Sequence, residues 1–329
     1  MKILKKSLFS ITLLAAFCLL NETASAQAFT RASQRESARS DKLTGGTIER
    51  TALAPGADGL KITVNVPAFQ LTLWQNGKEI KSYWVGVGLK DHPIYIGFRE
   101  ASDVIWNPNW IPPGSNWVAE MKTVKAGEVI KPTDPRNPLG KLKIPLGGGY
   151  LIHQAKGIGD LGGLVSHGCV RMMKNDLFDL AEKIVAARGL PLTRKQIENA
   201  KLTKKTLAAE LDPPIPVEIT YDTQVVEAGR LRVYPDVYDR ETNTIENLRK
   251  ELQTSGVDTS QITDLTLKTI IARAVAKKQF VVSVADIEAG RALRGGRVVP
   301  VVGQTAATIE KPASKTTKNT GSAVRRRRA

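Results

Sequence analysis

Apolar and polar residues alternate from Ile62 to Val66 and again from Gln70 to Trp74, the period-two pattern of strands that bury one face. Between the second run and a third, Ile80 to Val87, stands Gln75-Asn76-Gly77-Lys78. Asn-Gly tolerates positive φ at both central positions of a two-residue turn, so these runs are expected to fold back as antiparallel hairpins. Ile94 to Phe98 and Val104 to Trp106 continue the short-strand pattern, and Tyr150-Leu151-Ile152 reads as an apolar strand ending at His153. Asn107-Pro108, Pro112-Pro113-Gly114, Asp134-Pro135 and Gly147-Gly148-Gly149 punctuate loops. After Arg171 the period changes: Leu177, Leu180, Ala181, Ile184 and Val185 recur at helical spacing, with Asn175 as the expected cap and Gly189 as the stop. Pro213-Pro214-Ile215-Pro216 leads into Val217 to Tyr221, which with Leu231 to Tyr234 reads as a hairpin turning at Glu227-Ala228-Gly229. The main domain is expected over residues 58–240, mainly β with short helices (α+β).

Residues 241–302 read as an accessory segment, partly helical. Helices are expected from Thr244 to Thr254 and from Asp264 to Lys277, with strands from Phe280 to Val284 and Arg297 to Val302. Residues 303–329 are rich in Ala, Thr, Lys and Ser and end in Arg325 to Arg328, the composition of a disordered basic tail. At the other end, Lys2, Lys5 and Lys6 precede an apolar run from Ile11 to Leu20 that closes on Ala24-Ser25-Ala26. This is expected to be a cleaved signal peptide over residues 1–26, delivering the chain to the periplasm through a linker at 27–57. Phe17 stands where a lipid-attachment motif before Cys18 needs a small residue, and no later stretch is long and apolar enough for a membrane helix.

Charge narrows the partners. The chain carries 48 Lys+Arg against 32 Asp+Glu, a net +16, and removing the leader takes away three lysines and one glutamate, so it stays strongly basic. Anionic envelope polymers and lipids suit such a protein; nucleic acid does not, since the compartment lacks it and only 5% of residues are aromatic. Cleavage leaves Cys169 as the sole cysteine in an oxidising compartment, either a small buried apolar residue or a reactive nucleophile. Of the three histidines, His153 and His167 lie within sixteen residues of it, the second inside Ser166-His167-Gly168-Cys169-Val170-Arg171. An imidazole beside Cys169 would hold it as thiolate. If the segment is extended, His167 shares a face with Cys169, while His153 could approach across the sheet, and spacing does not choose between them. Gly168 permits close backbone approach, amides around Gly168 and Cys169 could serve an oxyanion, and Arg171 could clamp a carboxylate. One Cys and two His without CxxC or HExxH spacing lack a structural zinc site's fourth ligand, so neither metal nor cofactor is expected. His92 reads as a surface residue, and Trp106, Trp110 and Trp117 as core or cleft wall.

At these residues the chain resembles the L,D-transpeptidases with a YkuD-type catalytic domain, whose signature is a His, a dozen or so residues, then Ser/Thr-His-Gly-Cys and a nearby Arg or Asn. His153 and Ser166-His167-Gly168-Cys169-Val170-Arg171 match it, and Asn76-Gly77-Lys78, Asn107-Pro108-Asn109-Trp110-Ile111-Pro112-Pro113 and Asn137-Pro138-Leu139-Gly140 extend the likeness over roughly residues 60–190. Pro216 to Tyr238 looks like the end of the larger murein transpeptidases. The resemblance implies a β-sandwich or barrel in which Cys169 attacks the third residue of a peptidoglycan tetrapeptide stem, expels the terminal D-alanine and forms a thioester. An amine would then resolve it: another stem (a 3-3 crosslink), a lysine of an anchored envelope protein, or a free D-amino acid. By the same resemblance His153 is the general base, Ser166, His167 and Gly168 shape the pocket and oxyanion site, and Arg171 positions substrate or braces the loop. Gln154 stands where the family carries Gly or Ser, with its carbonyl left to orient the imidazole, and Ile94-Tyr95-Ile96-Gly97 replaces Thr-Pro-x-Gly, which bears on donor preference. Two other readings share the sequence: a carboxypeptidase or amidase that hydrolyses the same thioester, and a non-catalytic wall-binding protein.

Overall fold

The computed structural model describes residues 59–303. The expected signal peptide, the linker and the tail from residue 304 lie outside the described residues.

Strands β1 (Leu60–Asn65), β2 (Gln70–Gln75) and β3 (Lys78–Gly88) form the expected antiparallel start. Asn76 and Gly77 have φ of 52° and 74°, both left-handed as the two-residue turn requires. Next comes β4 (Gly97–Trp106), a single strand where the sequence suggested two. Its register shifts between Ala101 and Asp103, a bulge that interrupts the alternation and made the pattern read as separate pieces. The remaining strands are β5 (Leu142–Pro145), β6 (Leu151–Gln154), β7 (Leu164–Ser166), β8 (Val170–Met172) and β9 (Leu207–Thr220). Together they make a nine-stranded sheet in the order β2-β1-β9-β4-β5-β6-β8-β3-β7, and β2 also pairs with β3, which closes it into a barrel. Closure through β2 and β3 leaves β7, paired only with β3, as this sheet's one edge strand among the described residues.

β9 is the main departure from the sequence reading. Val217 to Thr220 belongs to a fourteen-residue strand that runs antiparallel to β4 and parallel to β1, not to a hairpin with Leu231 to Tyr234. The hairpin is β10 (Gln224–Glu227) with β11 (Arg230–Val233), and it joins β12 (Lys278–Ser283) and β13 (Arg297–Pro300) in a separate four-stranded sheet. The smaller sheet therefore begins near Gln224.

Helix α1 (Asn116–Ala119) is one turn in the long connection between β4 and β5. Helix α2 (Lys174–Arg188) buries Leu177, Leu180, Ala181, Ile184 and Val185 and stops at Gly189, whose φ of 56° is the left-handed C-terminal conformation. Its N-cap is Met173, without a side-chain bond, because β8 runs almost directly into the helix and leaves Asn175 inside the first turn. Each fully buried Leu or Ile on this face contributes about 1.5–3 kcal/mol. Helix α3 (Arg194–Leu202) opens on a Thr193–Gln196 capping box. Against the smaller sheet lie α4 (Ile245–Thr254), α5 (Asp264–Ala272), α6 (Val284–Glu288) and α7 (Ala292–Gly295). Their core is Leu231, Val233, Leu248, Leu252, Leu267, Ile270 and Phe280. Among the described residues no helix is long and apolar enough to cross a membrane.

Candidate active site

Parallel pairing of β6 with β8 sets His153 opposite Arg171 and Ile152 opposite Val170. Paired residues point to one face of a sheet and side chains alternate, so Cys169, just before β8, shares that face with Arg171 and lies diagonally across from His153. The cysteine is half-buried, while the imidazole is 4% exposed. Nδ1 of His153 is buried and has no hydrogen-bond partner, so no hydrogen bond joins it to the sulfur in the free protein.

Burial sets the charge state. It lowers His153 to about 4, helped by Arg171, against an opposing pull from the backbone of Gln154 and Leu139. It pushes the Cys169 thiol up, and neither the Leu151 backbone hydrogen bond nor the Arg171 charge reverses that. The resting pair is thus a thiol and a neutral imidazole, in place of the expected thiolate, because two charges here would lose more hydration than they recover. An unprotonated nitrogen with no other partner is still what a general base needs.

Ser166 is 1% exposed and braces the Cys169 loop: its Oγ donates to the Cys169 carbonyl at 2.6 Å and accepts from the Gly168 amide at 3.2 Å. That Gly168 N–H is therefore occupied in the free protein. Gly168 has φ of 107°, so the segment is not extended and His167 does not share the Cys169 face. The His167 ring lies flat on Trp117, with centroids 4.4 Å apart and planes 11° apart, and His92 packs beside it at 4.7 Å. Partial burial, His92 and Arg171 all lower its pKa. His92, expected on the surface, is half-buried in this stack. Trp106 is fully buried in the core, and Trp110 lies in a small cluster with Val118, Val124, Ile130 and Leu139.

Arg171 NH1 meets Asp160 Oδ2 at 3.1 Å, with 12% and 15% of the two side chains exposed. The same carboxylate oxygen accepts from the Lys156 amide at 2.8 Å. Sequence reading passed over Asp160, although it is the single carboxylate between His153 and Cys169. The Gln154 side chain is engaged elsewhere: Oε1 accepts from the Lys141 amide at 2.9 Å. Among the described residues no group of three or more His, Cys, Asp or Glu is arranged to hold a metal ion.

Fold and site together define a closed β domain that presents one half-open thiol and a buried imidazole on the same sheet face. Residues 60–217 match the family model of the YkuD L,D-transpeptidase catalytic domain. It is 27% identical over 231 residues to a Haemophilus influenzae protein named "Putative L,D-transpeptidase", covering 56% of this chain and 46% of the relative. It is 26% identical over 188 residues to "Probable L,D-transpeptidase YcfS" of Escherichia coli, covering 55% and 58%. The chain thus spans about half the length of these curated relatives. Among solved structures, the catalytic domain of the E. faecium L,D-transpeptidase aligns at 13% identity and a TM-score of 0.32, over 50% of this chain and 99% of that domain.

Proposed function

We propose that the protein is an exported cysteine L,D-transpeptidase acting on peptidoglycan tetrapeptide stems. The Cys169 thiol attacks the carbonyl of the third residue while His153 Nδ1 takes the thiol proton. The bond to the terminal D-alanine breaks, the amine leaves with that proton, and the acyl group remains on sulfur as a thioester. An acceptor amine then attacks, and Cys169 leaves reprotonated. A second stem as acceptor gives a 3-3 crosslink; an anchored envelope protein or a free D-amino acid are the other amines. Ser166 holds the nucleophile's loop, Gly168 and Cys169 backbone amides serve the oxyanion once substrate displaces the Ser166 contact, and the Gln154 carbonyl orients the imidazole. Arg171 braces the loop through Asp160. The observation that carries this reading is a partly buried thiol just before β8, beside β6, whose His153 is buried with an unpartnered Nδ1.

Incubating the protein with tetrapeptide muropeptides and weighing the products tests it. Dimers lost in Cys169→Ala are expected. Tripeptide alone would convert the reading to a carboxypeptidase or amidase, and unchanged muropeptides with an unreactive thiol would leave a wall-binding protein.

A further inference from the structure

Arg171 was the expected carboxylate clamp, yet Asp160 already occupies it. A second arginine near the nucleophile is not occupied. Arg99 sits near the start of β4, where Phe98 and Glu100 are exposed and Arg99 alternates with them onto the inward face beside buried Ala101. Its guanidinium lies between two aromatic rings, 4.4 Å from the centroid of Tyr95 and 4.7 Å from that of Tyr150. Tyr150 in turn packs on the nucleophile's loop: a Cβ added to Gly168 would sit 2.7 Å from Tyr150 Cε1. Tyr95, on the outer side, is 46% exposed. The row Cys169, Gly168, Tyr150, Arg99, Tyr95 thus runs from the thiol to solvent.

Nε of Arg99 is buried with no hydrogen-bond partner, and no carboxylate among the described residues is paired with the guanidinium. Contact with two rings holds the planar fork at low cost in side-chain freedom, and its Nε–H is left unsatisfied. A planar anion is the group that satisfies such an edge with two parallel bonds.

We propose that Arg99, held by Tyr95 and Tyr150, is the site that binds a free carboxylate of the acyl-donor peptide. This rests on the transpeptidase reading of Cys169. The donor has two such groups near the scissile bond, the terminal carboxylate of the leaving residue and the side-chain carboxylate of a diamino acid at position three, and both share the chemistry Arg99 offers. Tyr95 stands in the segment that departs from the family's Thr-Pro-x-Gly, so the site belongs to this chain's own sequence.

Binding, measured apart from turnover, tests it. In full-length Cys169→Ala protein, titration calorimetry compares a tetrapeptide stem with its terminally amidated and side-chain-amidated forms, with Arg99 intact, with Arg99→Met and with Arg99→Lys. Arg99→Met is expected to weaken the unmodified stem about 10- to 100-fold. Amidating the bound carboxylate should weaken it by a similar factor, without further loss in Arg99→Met; which amide does so identifies the source. Arg99→Lys should recover part of the affinity. Equal affinities with and without Arg99, equal losses for all three peptides, or no binding of any stem overturn the site. Wild-type protein that binds in this pattern but converts no muropeptide keeps the site and removes the transpeptidase reading.

Discussion

At the scale of single residues, the neutral resting pair has two consequences for pH. His153 titrates at about 4 in the fold, below the ordinary 6.5 of an exposed imidazole. The unfolded chain therefore binds an extra proton between those values, so the stability this residue contributes is present above about 6.5 and is lost as pH falls toward 4. The full loss is on the order of 3 kcal/mol. Thermal unfolding from pH 7 to pH 4 should show it in the wild type and show less of it in His153→Asn. With His153 as the proposed general base, the acid limb of kcat/KM should fall well below pH 6.5; a limb at 6.5 or above would mean that burial does not govern this ring. Breaking the Arg171–Asp160 pair tests the brace. Asp160→Asn leaves a guanidinium in a mostly buried place without its countercharge, which costs about 3 kcal/mol, readable as a lower urea midpoint. Gly168→Ala drives a methyl into the Tyr150 ring at a φ that L-residues rarely adopt, and its muropeptide turnover should drop at least tenfold while the far-ultraviolet spectrum stays native.

At the scale of elements, the legible parts are those whose signals are local. The β2–β3 hairpin announces itself through Asn76-Gly77, and α2 through its apolar spacing and Gly189. β9 did not, because Pro213, Pro214 and Pro216 resemble a linker until a partner strand is supplied; its pairing with β4 covers residues 207–210 and 215–219, on either side of that stretch. His92 was read as a surface residue and Asp160 passed over for a related reason: each acquires meaning only through a neighbour that the chain brings back from elsewhere, Trp117 with His167 in one case and Arg171 in the other. Cys169, His153 and His167 were legible as candidates, while the bend at Gly168 that separates His167 from the Cys169 face was not. The connection between β4 and β5 has little regular structure, and its shape rests on a few bonds. Asn137 Nδ2 donates to the carbonyls of Pro108 and Ile130, its Oδ1 accepts from the Leu139 amide, and Trp110 bridges to Ile130. Trp117, which covers His167, is carried by this connection. Asn137→Ala should raise amide exchange across residues 108–139 and raise KM, with the melting temperature of the barrel little changed.

At the scale of the molecule, the smaller sheet is tied to the barrel at both of its ends. On the way in, Asn65 donates its side-chain amide to the Asp222 carbonyl at 3.0 Å and accepts from the Asp222 amide at 3.1 Å; just after β11, Tyr238 donates its hydroxyl to the Gly88 carbonyl at 3.0 Å and Tyr234 packs in the barrel core. On the way out, Val301 is 1% exposed within that same core, and Val302 lies against Gly162 in the loop that carries Asp160. A cavity of about 410 Å3, bordered by Trp84, Ile158, Leu161, Lys277, Val301 and Val302, lies along this return. Two bodies joined by an ordinary linker would unfold separately, since inter-domain contacts of that kind are small and polar. Here residues after the last strand of one sheet complete the apolar core of the other, so the two should melt together. Val301→Ala removes buried methyl groups at a cost of about 1–2 kcal/mol. Its effect should fall equally on tryptophan fluorescence, which reports the barrel through Trp74, Trp84, Trp106, Trp110 and Trp117, and on amide exchange in α4 and α5, which reports the smaller sheet's cover. Coincident transitions that shift together are the expected result. A barrel transition that moves while α4 and α5 keep their protection would mean that Val301 belongs to the barrel alone and that the accessory sheet folds independently of the catalytic domain.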